Sequence, residues 1–177
     1  MSKVLAKKFY GQNTLSTAKK LLGKFLVRRI GRRKISGTIT EVEAYIGPKD
    51  KASHASRGRT KRTEVMFGES GHWYVYLIYG MHYCLNIVTE KKNYPAAILI
   101  RGVKTKTKEI RGPGRVCKYF WINKSFNAAA ADRKIGLWIE NSGVKIKNRD
   151  IQRGKRIGVD YAGKWKNKLW RFYLVRK

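Results

Sequence analysis

Apolar positions in this chain recur mostly every second residue, which predicts short strands joined by turns and few helices. One helical stretch stands out. Leu15, Ala18, Leu21 and Leu22 fall on one face, with Thr14 placed to cap it and Gly23 to stop it. Ahead of it, Lys3 to Gln12 reads as a basic, loosely held arm. Phe25-Leu26-Val27 predicts a strand and Arg28 to Lys34 a basic turn around Gly31. Ser36 to Ile46 predicts the next strand. Strict alternation there puts Ile39, Glu41, Glu43 and Tyr45 on one side and Thr40, Val42, Ala44 and Ile46 on the other. The second set is apolar enough to pack. The first exposes two acids, to a cleft or, as at any edge strand, to solvent.

Gly47-Pro48 ends that strand, and Asp50 can cap a helical turn carrying Lys51, His54 and Arg57. Arg57 to Arg62 predicts a basic loop hinged at Gly58. The clearest hairpin runs from Trp73 to Val88. Gly80 is suited to the first central position of a two-residue type II′ turn, with Tyr79 and His82 facing outward at the tip. Ala96 to Arg101 is a buried strand, Lys104 to Arg111 a charged loop, and Gly112-Pro113-Gly114-Arg115 the entry to a helix whose N-terminus could face an anion. Leu137–Glu140, Ile157–Val159 and Trp170–Val175 read as further strands. Strands outnumber helices, and no repeat, low-complexity segment or proline-rich linker marks a boundary. The expectation is one α+β domain over 1–177, built on a curved, mostly antiparallel sheet with a protruding β-hairpin and a few peripheral helices.

Charge changes the picture. Lys and Arg number 41 against 11 Asp and Glu, a net charge of +30, and no acid precedes Glu41. Such a field favours a polyanion, because lysine and arginine release condensed counterions when they meet phosphates. A lysine-rich proteome accounts for part of the magnitude. With 42% apolar residues the chain can still build a core. Cys84 and Cys117 lack partners at metal or disulfide-framework spacing and read as buried thiols in a reducing compartment. No segment suits a signal peptide, and no run nears the ~18 apolar residues of a membrane span, so a cytoplasmic location is expected.

Acids on one strand and aromatics on another, inside a polycation, suggest chemistry on a nucleic acid base. Such chemistry needs the base out of the stack, aromatic walls to hold it, and a group that activates water. Tyr79 at a hairpin tip suits a wedge between base steps, unless it folds back on its own hairpin. Tyr45 and Tyr76 suit the walls, and Glu41 or Glu43 the activation. Alternation cannot choose between the two acids, which lie about 7 Å apart on one face. His54, His72 and His82 have no acid or thiol at ligand spacing, so no metal is expected. A lysine nucleophile stays open on composition. So does a purely binding role, as in a basic ribosomal-type protein.

Motifs in register now add a family likeness. Glu41-Val42-Glu43-Ala44-Tyr45, Asp50-Lys51-Ala52-Ser53-His54, Met66-Phe67-Gly68, Tyr74 to Met81, Leu85-Asn86-Ile87, Leu99-Ile100-Arg101, Gly112-Pro113-Gly114-Arg115 and Arg156-Ile157-Gly158-Val159 occur in that order. Together they resemble the 3-methyladenine (alkyladenine) DNA glycosylases of the monofunctional type, from about residue 21 to residue 172. The resemblance implies hydrolytic release of alkylated or deaminated purines from double-stranded DNA by a monomer that uses no cofactor. It implies that Glu43 deprotonates the attacking water and Arg101 helps hold it. Tyr45, His54, Tyr76 and Asn86 would form the base pocket, Tyr79 would intercalate, and Arg57, Arg59, Arg62 and Arg115 would meet the DNA backbone. The chain departs from the family at Gly102-Val103-Lys104-Thr105, expected to loosen a loop behind Arg101, at Leu169, and in the alanine-rich run 127–132.

Overall fold

The computed structural model describes residues 3–175. Two helices, α1 (Lys7–Tyr10) and α2 (Thr14–Leu21), lead into strands β1 (Phe25–Ile30) and β2 (Arg33–Ile46). The 3-10 turns His54–Arg57 and Glu64–Phe67 precede the hairpin of β3 (Trp73–Ile78) and β4 (His82–Val88). Then come β5 (Ala96–Lys104), β6 (Glu109–Arg111), α3 (Pro113–Tyr119), β7 (Leu137–Glu140), β8 (Ile151–Gly154), a 3-10 stretch Asp160–Asn167, and β9 (Arg171–Leu174). The strands form one antiparallel sheet in the order β3-β4-β5-β2-β1-β7, with β6 on β5 and β9 bridging β2 and β8. The α+β reading of the sequence matches this architecture.

Alternation gives the sheet two working faces. Trp73, Val75, Leu85, Ile87, Ile98, Ile100, Val42 and Ala44 turn one way and join Leu21 of α2 and Val116 and Phe120 around α3 in the main core. Tyr74 and Ala97 turn the other way and pack on Ala55 and Met66, a second apolar layer that floors the opposite face. Long β2 is the spine. β5 runs along one edge of it, while the other edge is divided between β1 and β9.

Several expectations need correction. Residues 3–12 are anchored rather than loose. Val4 bridges Glu140, the Leu5 N–H donates to Ile139, and Tyr10 is buried in the core; residues 1 and 2, ahead of the arm, lie outside the described range. Asn13, not Thr14, caps α2, accepting from Ser16 N–H. Ser53 caps the turn that carries His54, because Asp50 is wholly buried in an ion pair with Arg156. Lys104 to Arg111 closes a small hairpin between β5 and β6, so the residues after Arg101 continue a strand. Residues 157–159 form a loop, and the strand before them is β8.

Two further corrections shape the site. The register of β2 on β5 shifts twice and skips Thr40 and Arg101. These bulges put Ile39 into the core and leave Glu41 and Glu43 facing the other way. At the hairpin tip Ile78 pairs with His82 across Tyr79-Gly80-Met81. Tyr79 (φ 50°) and Gly80 (φ 69°) are both left-handed and Met81 N–H donates to Ile78 O at 3.2 Å. Gly80 therefore takes the second central position of a type I′ turn inside a three-residue loop.

Candidate active site

Glu43 has no exposed surface, yet its carboxylate is well provided with donors. Its Oε1 accepts from the Ile157 N–H at 2.9 Å and lies 3.4 Å from Arg101 Nε, and its Oε2 accepts from the Tyr45 hydroxyl at 2.8 Å. Burial pushes the carboxyl above the ordinary carboxylate range. Arg101, the Ile157 amide and the Tyr45 hydroxyl pull it back, and Glu41 adds to the rise. Of these, Arg101 pulls hardest, but desolvation outweighs it. Glu41 meets the same guanidinium nitrogen. Its Oε1 accepts from Arg101 Nε at 3.3 Å and from Arg171 Nη1 at 3.1 Å.

The Ile157 amide arrives on a loop held by a buried pair. Arg156 donates to both oxygens of Asp50, at 2.6 and 2.8 Å, and to the Ala44 carbonyl at 2.9 Å. Its guanidinium stacks on the Tyr45 ring, 4.8 Å from the centroid, and on Trp170 at 5.0 Å. Asp50 also accepts from the N–H groups of Ile46 and Ala52, so both its oxygens are doubly engaged, while the buried Arg156 Nε has no hydrogen-bond partner among the described residues.

Beside Tyr45, Arg101 and Ile157, the partners of Glu43, opens a cavity of about 400 Å³, within the range of small-molecule pockets. Tyr45, His54, Tyr74, Tyr76, Cys84, Asn86, Leu99, Arg101 and Ile157 are among its walls, with Tyr79 at the hairpin end. Tyr74 and Tyr76 tilt together with centroids 5.1 Å apart, and His54 meets Tyr76 edge-on at 4.7 Å. His54 Nδ1 lies 3.0 Å from the Tyr74 hydroxyl. Burial, with help from Arg62 and Arg57, lowers the His54 pKa to about 4, so the ring is neutral at neutral pH. Burial first, and neighbouring Glu43, keep the Tyr45 hydroxyl protonated. Buried Asn86 donates through its amide nitrogen to the Tyr74 and Cys84 carbonyls at 3.1 and 3.5 Å, which fixes its orientation on the floor.

The basic residues divide. Arg62 lies over the Tyr76 ring at 5.1 Å and lines both this cavity and a neighbouring groove of about 880 Å³, which Lys49, Lys51 and Arg57 also line. Arg59 turns to Glu64 and stacks on Phe67, and Arg115 is exposed on α3; neither borders the cavity. Gly114, expected to open an anion site, has a packing role as well. A Cβ there would come 3.0 Å from the Cβ of His82. Sequence reasoning missed Tyr74, which shares the face of Tyr76 by alternation and could have been found. It also missed Ile157, whose contribution is a backbone N–H with no signature, and the Asp50–Arg156 pair, whose members lie 106 residues apart.

A covered acid beside a tyrosine-walled cavity, in a chain of net charge +30, suits a protein that acts on a nucleic acid base. The model of the Methylpurine-DNA glycosylase family matches residues 8–177. A Methanocella arvoryzae protein is 46% identical over 186 residues, spanning 96% of this chain and 92% of its own length. One from Ehrlichia chaffeensis is 46% identical over 97% of this chain and 93% of its own, and one from Legionella pneumophila 44% identical over 96% and 93%. All three are provisionally named 3-methyladenine DNA glycosylases. The chain belongs to the methylpurine-DNA glycosylase family, DNA repair hydrolases that act on N-glycosyl bonds.

Proposed function

We propose that this protein turns damaged purines out of duplex DNA into the tyrosine cavity and hydrolyses the N-glycosyl bond with a water activated by Glu43, opening base excision repair. The observation that carries the reading is the setting of Glu43. It is a covered carboxylate whose pKa is raised by burial, directly behind Tyr45, Arg101 and Ile157, which line an aromatic pocket. A base is most effective when its pKa approaches the working pH, and proton transfer to it is worth roughly 10²–10⁴ in rate. As the sugar gains positive character in the transition state, the same carboxylate stabilises it. Arg101 orients the water. Arg101 and the Tyr45 hydroxyl are the two side chains that meet Glu43 beside the backbone N–H of Ile157, and a small swing of either admits the water.

Substrates are 3-methyladenine, 7-methylguanine, ethenoadenine and hypoxanthine. Flat purines stack between Tyr45 and Tyr76, and cationic ones gain cation–π energy there, which a neutral His54 does not oppose. Asn86 on the floor discriminates against bases with an extra exocyclic amine. Tyr79 enters the gap left in the duplex through the minor groove. Arg62 and Arg57, along the groove beside the cavity, track phosphates, with Arg59 and Arg115 as further backbone contacts. The chain works as a monomer and needs no cofactor.

The test is release of the four bases from defined duplexes by wild type and by Glu43→Gln. The variant is expected to release none while still binding abasic-site DNA. Full release by Glu43→Gln overturns the mechanism.

A further inference from the structure

Glu43 and Arg101 are accounted for above, but Glu41 and Arg171, which touch that pair from behind, are not. Glu41 lines a separate groove with Arg171 and Tyr173, whereas the Glu43 partners Tyr45, Arg101 and Ile157 line the tyrosine cavity. One of its oxygens receives both Arg101 Nε at 3.3 Å and Arg171 Nη1 at 3.1 Å. The backbone is shaped for this. The double register shift falls at Glu41, and Gly102 lets the strands close, since a Cβ there would lie 2.9 Å from the Cβ of Glu41. Arg171 is fixed as firmly. Its Nε donates to the Lys155 carbonyl at 2.8 Å, its guanidinium stacks 4.8 Å from the Tyr173 centroid, and a Cβ on Gly154 would come 2.9 Å from its Nη2.

We propose that Glu41, anchored by Arg171, is a positioning residue for base excision: it steers the Arg101 guanidinium and divides that positive charge between two carboxylates. The proposal rests on Glu43 being the general base. Arg101 Nε lies nearly midway between the acids, 3.3 Å from Glu41 and 3.4 Å from Glu43. The ionised groups Glu41, Glu43, Arg101 and Arg171 sum to zero charge. Without Glu41, Arg101 is free to close on Glu43, which both blocks the water and makes the carboxylate a weaker base. The groups facing Glu43 are Arg101 from β5, Tyr45 and Glu41 from β2, the Ile157 N–H from the loop, and Tyr76 and Cys84 from β3 and β4. Glu41 is the one other carboxylate among them, and it raises the Glu43 pKa. Its removal therefore moves the acid limb of activity downward. Loss of Arg171 leaves Glu41 unneutralised and moves it upward.

The experiment is single-turnover release of hypoxanthine as a function of pH by wild type, Glu41→Gln, Arg171→Gln and Glu43→Gln. Glu41→Gln is expected to lower the maximal rate on the order of tenfold, with DNA affinity within about twofold, and to shift the acid limb to lower pH. Arg171→Gln is expected to lower the rate and shift the limb to higher pH. Opposite shifts separate steering from a packing role, which changes rates without moving the limb in two directions. An unmoved limb in both variants overturns the proposal, and Arg171→Gln alone decides it if Glu41→Gln does not fold. Full activity of Glu43→Gln is a separate outcome that removes the general base itself.

Discussion

Burying Glu43 has a cost that the fold bears for the sake of the site. The folded chain holds the Glu43 proton more tightly than an unfolded chain does, since burial raises its pKa. Its contribution to stability is therefore full below the ordinary carboxylate pKa and is lost as pH rises through the folded value. Glu43→Gln removes that loss. The inactive variant is expected to melt at a higher temperature than wild type at pH 7.5, with the difference closing below about pH 4. Calorimetry at both pH values checks it, and a variant less stable than wild type at pH 7.5 contradicts the burial account. The choice between the two acids was not legible by alternation, because Glu41 and Glu43 share a strand side. What separates them is the set of donors that arrives from elsewhere: Tyr45 and Ile157 at Glu43, Arg171 at Glu41.

Among the elements, the paired bulges of β2 and β5 and the hairpin tip do the shaping. Gly102→Ala drives a methyl to within 2.9 Å of both Thr40 Oγ1 and the Cβ of Glu41. Overpacking of this kind costs about 1–3 kcal/mol, which for a domain of this size lowers Tm by roughly 2–12 °C. Base release is expected to fall with it, and thermal melts alongside activity measurements check both. A melt unchanged from wild type counts against a closed bulge. At the tip, Tyr79 is 87% exposed, so Tyr79→Ala is expected to leave Tm within about 1 °C. Stacking on a base is worth about 1–3 kcal/mol, so affinity for lesion duplex is expected to drop about 5- to 150-fold. Equal affinity for wild type and variant removes the wedge. Strands β3 to β5 were legible because aromatic and β-branched runs end at Gly80 and begin after Pro95. The bulges were not, since an extra residue looks like any other until its partner strand is known. The Ile157–Val159 run was misread because its apolar residues serve the cavity and a small side cluster with Ala52 and Ala162.

For the whole molecule, net charge of +30 makes ionic strength the governing condition. Each phosphate contact adds about 0.9 to the slope of log affinity against log salt. Lys49, Lys51, Arg57 and Arg62 along the groove beside the cavity set an expected slope of about −3.6 or steeper, by four such contacts. Titration of undamaged duplex between 50 and 300 mM salt measures it, and a flat response contradicts phosphate tracking. The α+β class and the preference for a polyanion were legible from composition and period. The meeting of Glu43, Arg101 and Ile157 was not, because three segments distant in sequence supply it.

That distance shapes how the protein comes into being. Glu43 and the Ile157 amide are separated by 114 positions, and the Arg156–Asp50 clasp spans 106. Closing loops of such length is slow and comes late. A chain emerging from the ribosome thus carries its acid, its tyrosines and its hairpin long before the last amide reaches them. Competence to cut cannot precede residue 157, and a product truncated before residue 156 would keep its positive charge yet lack the clasp that completes the centre.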